Sequence, residues 1–128
     1  MSKLEAVLNQ FQTALTRLDE VLRQEKNEFM RDAAIKRFEF TFDLSWKLIK
    51  ACLEELSGII CASPKACIRE AYKQSLIEYD DRWLEMTDDR NRTAHLYRVE
   101  MADEIYGKLD AYSQLFHTLL DSIKNKTR

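Results

Sequence analysis

The stretch Arg90-Asn91-Arg92-Thr93-Ala94-His95-Leu96-Tyr97 gathers residue types that can do chemistry. It holds one of the two histidines, an arginine five residues before it and a tyrosine two residues after it. An arginine is always charged and can hold two phosphate oxygens at once. A histidine titrates near neutral pH and can take or give a proton. Together they suffice to cut an RNA phosphodiester. His95 removes the ribose 2′-OH proton or protonates the leaving oxygen, and Arg90 holds the charge of the phosphorane. No His/Cys/Asp/Glu cluster in the sequence has metal-ligand spacing, so the chemistry expected uses no metal and no cofactor.

Helix geometry constrains how these groups meet. Asn91 and His95 are four apart and share a face of a regular helix, where Asn91 is placed to fix the imidazole's tautomer and orientation. Arg90 and His95 are five apart, about 140° around the same helix. Within one chain they do not converge unless the helix loosens near its end. A site built from two chains, each presenting this segment across a two-fold axis, removes the difficulty.

The elements that must position this segment are helical. The chain has 128 residues, with two glycines and one proline. Tight-turned sheets need more of both. With 33 % charged and 45 % hydrophobic residues, the composition predicts one all-α domain over residues 1–128. The net charge is −2, so bulk electrostatics does not draw nucleic acid, and any RNA contact must use a local patch. Cys52, Cys61 and Cys67 follow no zinc spacing and are expected to be reduced thiols in a cytoplasmic protein. The first residues lack the apolar run of a signal peptide, and no apolar run approaches the ~20 residues of a membrane span.

The first helix opens at Ser2, which forms a capping box with Glu5. Leu4, Leu8, Phe11, Leu15, Leu18 and Leu22 then alternate steps of four and three, a seam for an antiparallel neighbour. A second helix runs from about Phe29 or Arg31 to Leu56, with Gly58 as its C-cap. It carries a charged stripe (Lys36, Glu39, Asp43, Lys47, Lys50, Glu54) with an Asp43–Lys47 pair in favourable order. It also carries two apolar stripes, one of them Phe40, Leu44, Leu48 and Ala51. One neighbour needs only one stripe, so this helix is expected to be central or to face another chain. Ser63-Pro64 starts a short third helix to about Leu76. A fourth begins near Asp80 or Asp81, with Trp83, Leu84, Thr87, Asn91 and Ala94 inward. A fifth is expected unbroken from Val99 to Lys124, with Met101, Ile105, Leu109, Tyr112, Phe116, Leu119 and Ile123 inward.

Arg90-Asn91-Arg92-Thr93-Ala94-His95-Leu96-Tyr97 resembles the R-x4-H-x-Y motif of HEPN-domain proteins of the HepT type, including the asparagine after the arginine. The run Phe38-Glu39-Phe40-Thr41-Phe42-Asp43-Leu44-Ser45-Trp46-Lys47 on a long helix, followed by Trp83, resembles the nucleotidyltransferase substrate-binding proteins. The resemblance covers nearly the whole chain. It implies an antiparallel up-and-down bundle of about five helices that forms a homodimer. It also implies a complex with a small nucleotidyltransferase encoded in the adjacent gene. HepT members act as RNase toxins that the partner neutralises by adding AMP to the motif tyrosine. On that pattern Arg90 and His95 are catalytic, Asn91 supports them, and Tyr97 is the modification site. An older view of the family implies instead a non-catalytic subunit that binds substrate or nucleotide for a two-part nucleotidyltransferase. The chain has no nucleotidyltransferase motif of its own, so any nucleotidyl transfer belongs to a partner.

Plainer roles compete at each position. Arg90 could form a surface pair with Asp88, Asp89 or Glu85, His95 could bond the last helix carbonyls, and Tyr97 could pack. Asp88 and Asp89 either tune Arg90 or cap a helix. His117 is expected to be structural, and Trp46 and Trp83 to be core or interface residues. Arg69, Lys73 and Arg98 either extend a phosphate patch or decorate the surface.

Overall fold

A computed structural model describes residues 2–95 and 98–127. They form an all-α bundle: α1 (Lys3–Leu22), α2 (Glu28–Ser57), α3 (Pro64–Lys73), α4 (Asp81–Arg92), a 3-10 turn (Thr93–His95), α5 (Val99–Tyr106) and α6 (Leu109–Lys126). Local chemistry sets most boundaries. Ser2 accepts from the Glu5 N–H at 3.1 Å and Asn27 from the Met30 N–H at 2.9 Å. Each satisfies a donor that the first helical turn leaves orphaned. Gly58 closes α2 at φ 64, the left-handed conformation that lets the N–H groups of residues 58 and 59 return to Glu54 and Leu53. Ser63 and Pro64 open α3 as expected. Asp80 caps α4 and also grips the Arg82 guanidinium, which holds the Asp80 carboxyl below its ordinary pKa.

The expected fifth helix is interrupted. α5 ends at Tyr106, and Gly107 and Lys108 make a tight turn in which the Lys108 N–H bonds the Ile105 carbonyl at 3.0 Å. The inward positions read for that helix survive the break. Ile105, Leu109, Tyr112, Phe116, Leu119 and Ile123 are all buried, and Met101 is partly so.

α2 is the spine, contacting α1, α3, α4, α5 and α6. Its 30 residues span about 45 Å at ~1.5 Å per residue. Aromatic contacts lock the bundle across four helices. Phe11 meets Phe116 at 5.8 Å, Phe38 stacks on Tyr112 at 5.6 Å, and Trp83 meets Phe116 edge-on at 5.9 Å. The second apolar stripe of α2 divides. Leu48 and Ala51 are buried within the chain and Leu44 is partly buried, whereas Phe40 stays 52 % exposed. On α4, Trp83 and Thr87 face inward, but Asn91 and, in the 3-10 turn that follows, Ala94 are exposed; Met86 and Asp89 take the buried positions instead. None of the helices in the described residues is long and apolar enough to cross a membrane.

The reduced-thiol expectation is corrected for two of the three cysteines. Cys61, in the loop after α2, and Cys67, in the first turns of α3, form a disulfide with Cα atoms 5.2 Å apart. Nothing in a six-residue spacing announces that distance; the turn at Ser63-Pro64 creates it. Cys52 remains a free, buried thiol, its pKa raised by desolvation.

Candidate functional site

Arg90 sits in the last turn of α4, and its guanidinium reaches across to α2. Nε donates to Asp43 Oδ1 at 3.0 Å and Nη2 to Asp43 Oδ2 at 3.1 Å, a bidentate grip, with Glu39 at 4.0 Å. Hydrogen bonding to Asp43 raises the Arg90 pKa against the opposing pull of burial. The third nitrogen, Nη1, donates to the Thr93 hydroxyl at 3.1 Å, and that hydroxyl donates to the Arg90 carbonyl at 2.6 Å. Thr93 is also the C-cap of α4, so one residue ends the helix and braces the guanidinium. Arg90 is thus fixed to α2 through Nε and Nη2, while Nη1 lies between Glu39 of α2 and the Thr93 hydroxyl of the following turn.

The surface partners considered for Arg90 are engaged elsewhere. Asp88 pairs with Lys65 of α3 at 2.7 Å. Glu85 pairs with Lys108 at 2.9 Å. Asp89 is 2 % exposed and turns into the bundle. It accepts from Tyr112 Oη at 2.5 Å, Lys108 Nζ at 3.2 Å and Arg92 Nη1 at 3.0 Å. Burial, then the bond to Asp89, pushes the Tyr112 pKa far up. Burial works against the Lys108 charge, but its bonds to Glu85 and Asp89 outweigh that and raise its pKa. Arg92 continues to Glu104 of α5 at 2.9 Å. This network fastens the end of α4 to α5 and α6 and so fixes where the segment after it leaves the bundle. The Asp43–Lys47 pair expected along α2 gives way to the cross-helix pair with Arg90.

His95 closes the 3-10 turn and is exposed. Asn91 is exposed on α4. Because α4 ends at Arg92, the four-residue spacing from Asn91 to His95 no longer follows a regular helix. The change of turn does not bring Arg90 and His95 onto a common face. Two α steps of ~100° and three 3-10 steps of ~120° leave them about 160° apart. Tyr97 lies outside the described residues. Arg98 is exposed at the start of α5, Arg69 is exposed on α3, and Lys73 lies 3.4 Å from Glu70.

The residues that sequence reasoning missed are Asp43, Glu39 and Thr93. The two acids were visible only as part of a charged stripe, and Thr93 lay inside the motif without an assigned role. His117 has the structural role expected. Its Nε2 lies 2.6 Å from Asp19 Oδ2, and Ser113 donates to the other oxygen of Asp19 at 2.5 Å, tying α6 to α1.

Comparison with known proteins agrees with this architecture. The profile of the family described as "Nucleotidyltransferase substrate binding protein like" matches residues 2–125. A protein of Haemophilus influenzae named "Probable ribonuclease HepT" is 30 % identical over 99 residues, spanning 74 % of this chain and 68 % of that one. A solved protein of Thermus thermophilus superposes with TM-score 0.81 at 38 % identity, over 87 % of this chain and 96 % of that one. A second solved protein, from Haemophilus influenzae, is described as having the fold of a substrate binding domain of a nucleotidyltransferase. It superposes with TM-score 0.69 at 25 % identity, over 94 % of this chain and 96 % of that one. The chain belongs to the nucleotidyltransferase substrate-binding-protein-like family.

Proposed function

We propose that the chain is a HepT-like, metal-independent endoribonuclease, the toxin half of a two-gene pair, acting in the cytoplasm as a one-domain homodimeric subunit. The observation that carries the reading is Arg90 itself. An arginine anchored to Asp43 through Nε and Nη2, with Nη1 held by the Thr93 hydroxyl, stands just before the turn that ends in an exposed histidine. Preorganised donors of this kind stabilise charge that develops on phosphoryl oxygens. In the proposed reaction the ribose 2′-oxygen bonds to phosphorus as its proton is removed. The P–O5′ bond breaks, and the leaving oxygen takes a proton. His95 serves one of these transfers and Arg90 holds the phosphorane, with Asn91 in support. The products are a 2′,3′-cyclic phosphate and a 5′-hydroxyl.

The regulatory partner is a small nucleotidyltransferase encoded beside this chain. The Tyr97 oxygen bonds to the α-phosphorus of ATP, pyrophosphate leaves and the phenolic proton is released, placing AMP inside the motif. The family description supports a nucleotidyltransferase partner, and the name of the Haemophilus relative supports the ribonuclease reading. The second reading, a non-catalytic subunit that binds substrate or nucleotide for the partner, is favoured by the description of the Haemophilus structure.

Two measurements test these readings. RNA cleavage by the purified chain is expected to fall by a factor of about 100 or more in His95→Ala, and to fall likewise in Arg90→Ala. Binding without cleavage in the wild type favours the second reading. Intact mass after incubation with the neighbouring nucleotidyltransferase and ATP is expected to rise by one or more AMP units, and to stay unchanged in Tyr97→Phe. An unmodified wild type beside a partner active on another acceptor removes the Tyr97 assignment.

A further inference from the structure

Beside the Arg90 site, the outward face of α2 carries an unusual combination. Phe40 is 52 % exposed. The Lys36 ammonium lies 5.1 Å from the centre of its ring. Phe40 also borders a groove of about 410 Å³ between α1 and α2, lined by Gln10, Thr13, Ala14, Arg17 and Arg37. That volume lies in the range of small-molecule sites, roughly 300–1,000 Å³. Arg37 lies across the seam, its Nη1 donating to the Arg17 carbonyl at 2.7 Å. No carboxylate among the described residues forms an ion pair with Arg17, Arg37 or Lys47. The two acids of this face, Glu39 and Asp43, are already taken up by Arg90 and Lys36.

Helix geometry gives these groups an order. At ~100° per residue, Arg37, Phe40 and Asp43 step round α2 by about 60° each, rising about 4.5 Å per step. The groove with its arginines, the exposed ring and the Arg90 guanidinium therefore lie side by side across one face, with Lys36 and Lys47 flanking the ring. A chain that is acidic overall keeps here the local cationic strip that contact with a polyanion requires.

We infer that this strip is a track for single-stranded RNA: one base stacks on Phe40, and Arg17 and Arg37 hold the flanking phosphates on the groove side. The backbone then leads over α2 to Arg90. The inference rests on the proposed ribonuclease reading for what happens at the end of the track. It chooses RNA over a second copy of the chain because a two-fold copy packed by the same face would set Arg17, Arg37 and Lys47, which no carboxylate among the described residues neutralises, against their own counterparts. Stacking on an exposed aromatic accepts any base, so the track is expected to favour unpaired strands over duplex and to show little sequence preference.

The test is fluorescence anisotropy of a labelled oligouridine with the full chain in a His95→Ala background, which blocks cleavage during the measurement. Phe40→Ala is expected to weaken binding about tenfold, Phe40→Leu nearly as much, and Phe40→Trp to retain it. Arg37→Ala is expected to weaken binding and to lower the slope of log affinity against log salt by about one. Circular dichroism and light-scattering mass are recorded for each variant. Unchanged affinity in Phe40→Ala and Arg37→Ala overturns the track. So does Phe40→Ala that splits a dimer into monomers, because the face then belongs to a second copy. RNA cleavage by the parent chain with unchanged Phe40→Ala binding leaves the ribonuclease reading standing without the track. Loss of binding in Phe40→Ala, with no cleavage by the parent chain, leaves the track standing without the ribonuclease.

Discussion

Asp89 and Arg90 are neighbours that face opposite ways, and the chain depends on both. Arg90 turns out onto α2, where it is partly reachable by an anion. Asp89 turns in, where three donors satisfy it. Removing that carboxylate leaves the Tyr112 hydroxyl, in a residue only 1 % exposed, without its acceptor. Asp89→Ala is expected to lower stability by about 3 kcal/mol in urea unfolding, the low end for a broken buried pair because Lys108 and Arg92 can still reach water. Asp89→Asn keeps an acceptor for Tyr112 and is expected to cost less. The motif was legible in the sequence because its residues are consecutive and it holds one of the chain's two histidines. The partners of Arg90 were not. Asp43 lies 47 residues away, and helical periodicity places it only on a stripe that solvent and a neighbouring helix fill equally well.

At the scale of elements, the caps were legible because each depends on residues within one turn. Ser2, Gly58 and the Ser63-Pro64 pair act where they were read. The break at Gly107 was not legible. One glycine inside a continuous apolar period is tolerated in helices, at a cost of about 1 kcal/mol. What turns it into a boundary is Lys108 bonding to Glu85 and Asp89 on another helix. The disulfide is an element-scale staple of similar character. It closes a loop of sequence separation 6, for which chain entropy gives about 2 kcal/mol. Cys61→Ser is therefore expected to lower the unfolding free energy by about that amount, and the fold is expected to survive reduction. Tyr72 joins α3 to the cap of α4, donating to the Asp80 carbonyl at 2.7 Å. Burial pushes its pKa up to about 12 from 10.0. A pKa raised on folding stabilises the protein below the unfolded value, and that stabilisation is lost as pH rises through the folded one. Tyr72→Phe is expected to flatten the fall of melting temperature with pH between about 10 and 12.

For the whole molecule, the second apolar stripe of α2 posed a choice between a central helix and a face for another chain. The structure divides it, with Leu48 and Ala51 buried inside the bundle and Phe40 outside. Period alone could not show this, because it fixes a residue's direction around a helix and not how far a neighbour extends along it. The question that reaches furthest is whether one chain makes a complete site. Arg90 and His95 stand about 160° apart around α4 and its 3-10 continuation. A two-fold partner that offers its own segment lets the arginine of one chain work with the histidine of the other. That arrangement makes a quantitative prediction. Arg90→Ala and His95→Ala chains are each inactive alone. Mixed in equal amounts and allowed to exchange, half of the dimers are mixed. Each mixed dimer then holds one site with an intact arginine from one chain and an intact histidine from the other. RNA cleavage is expected to return to about a quarter of the wild-type rate. If both groups of each site came from the same chain, the mixture would stay inactive however completely the subunits exchanged. Mass measurement of the exchanged dimers distinguishes that outcome from a failure to mix.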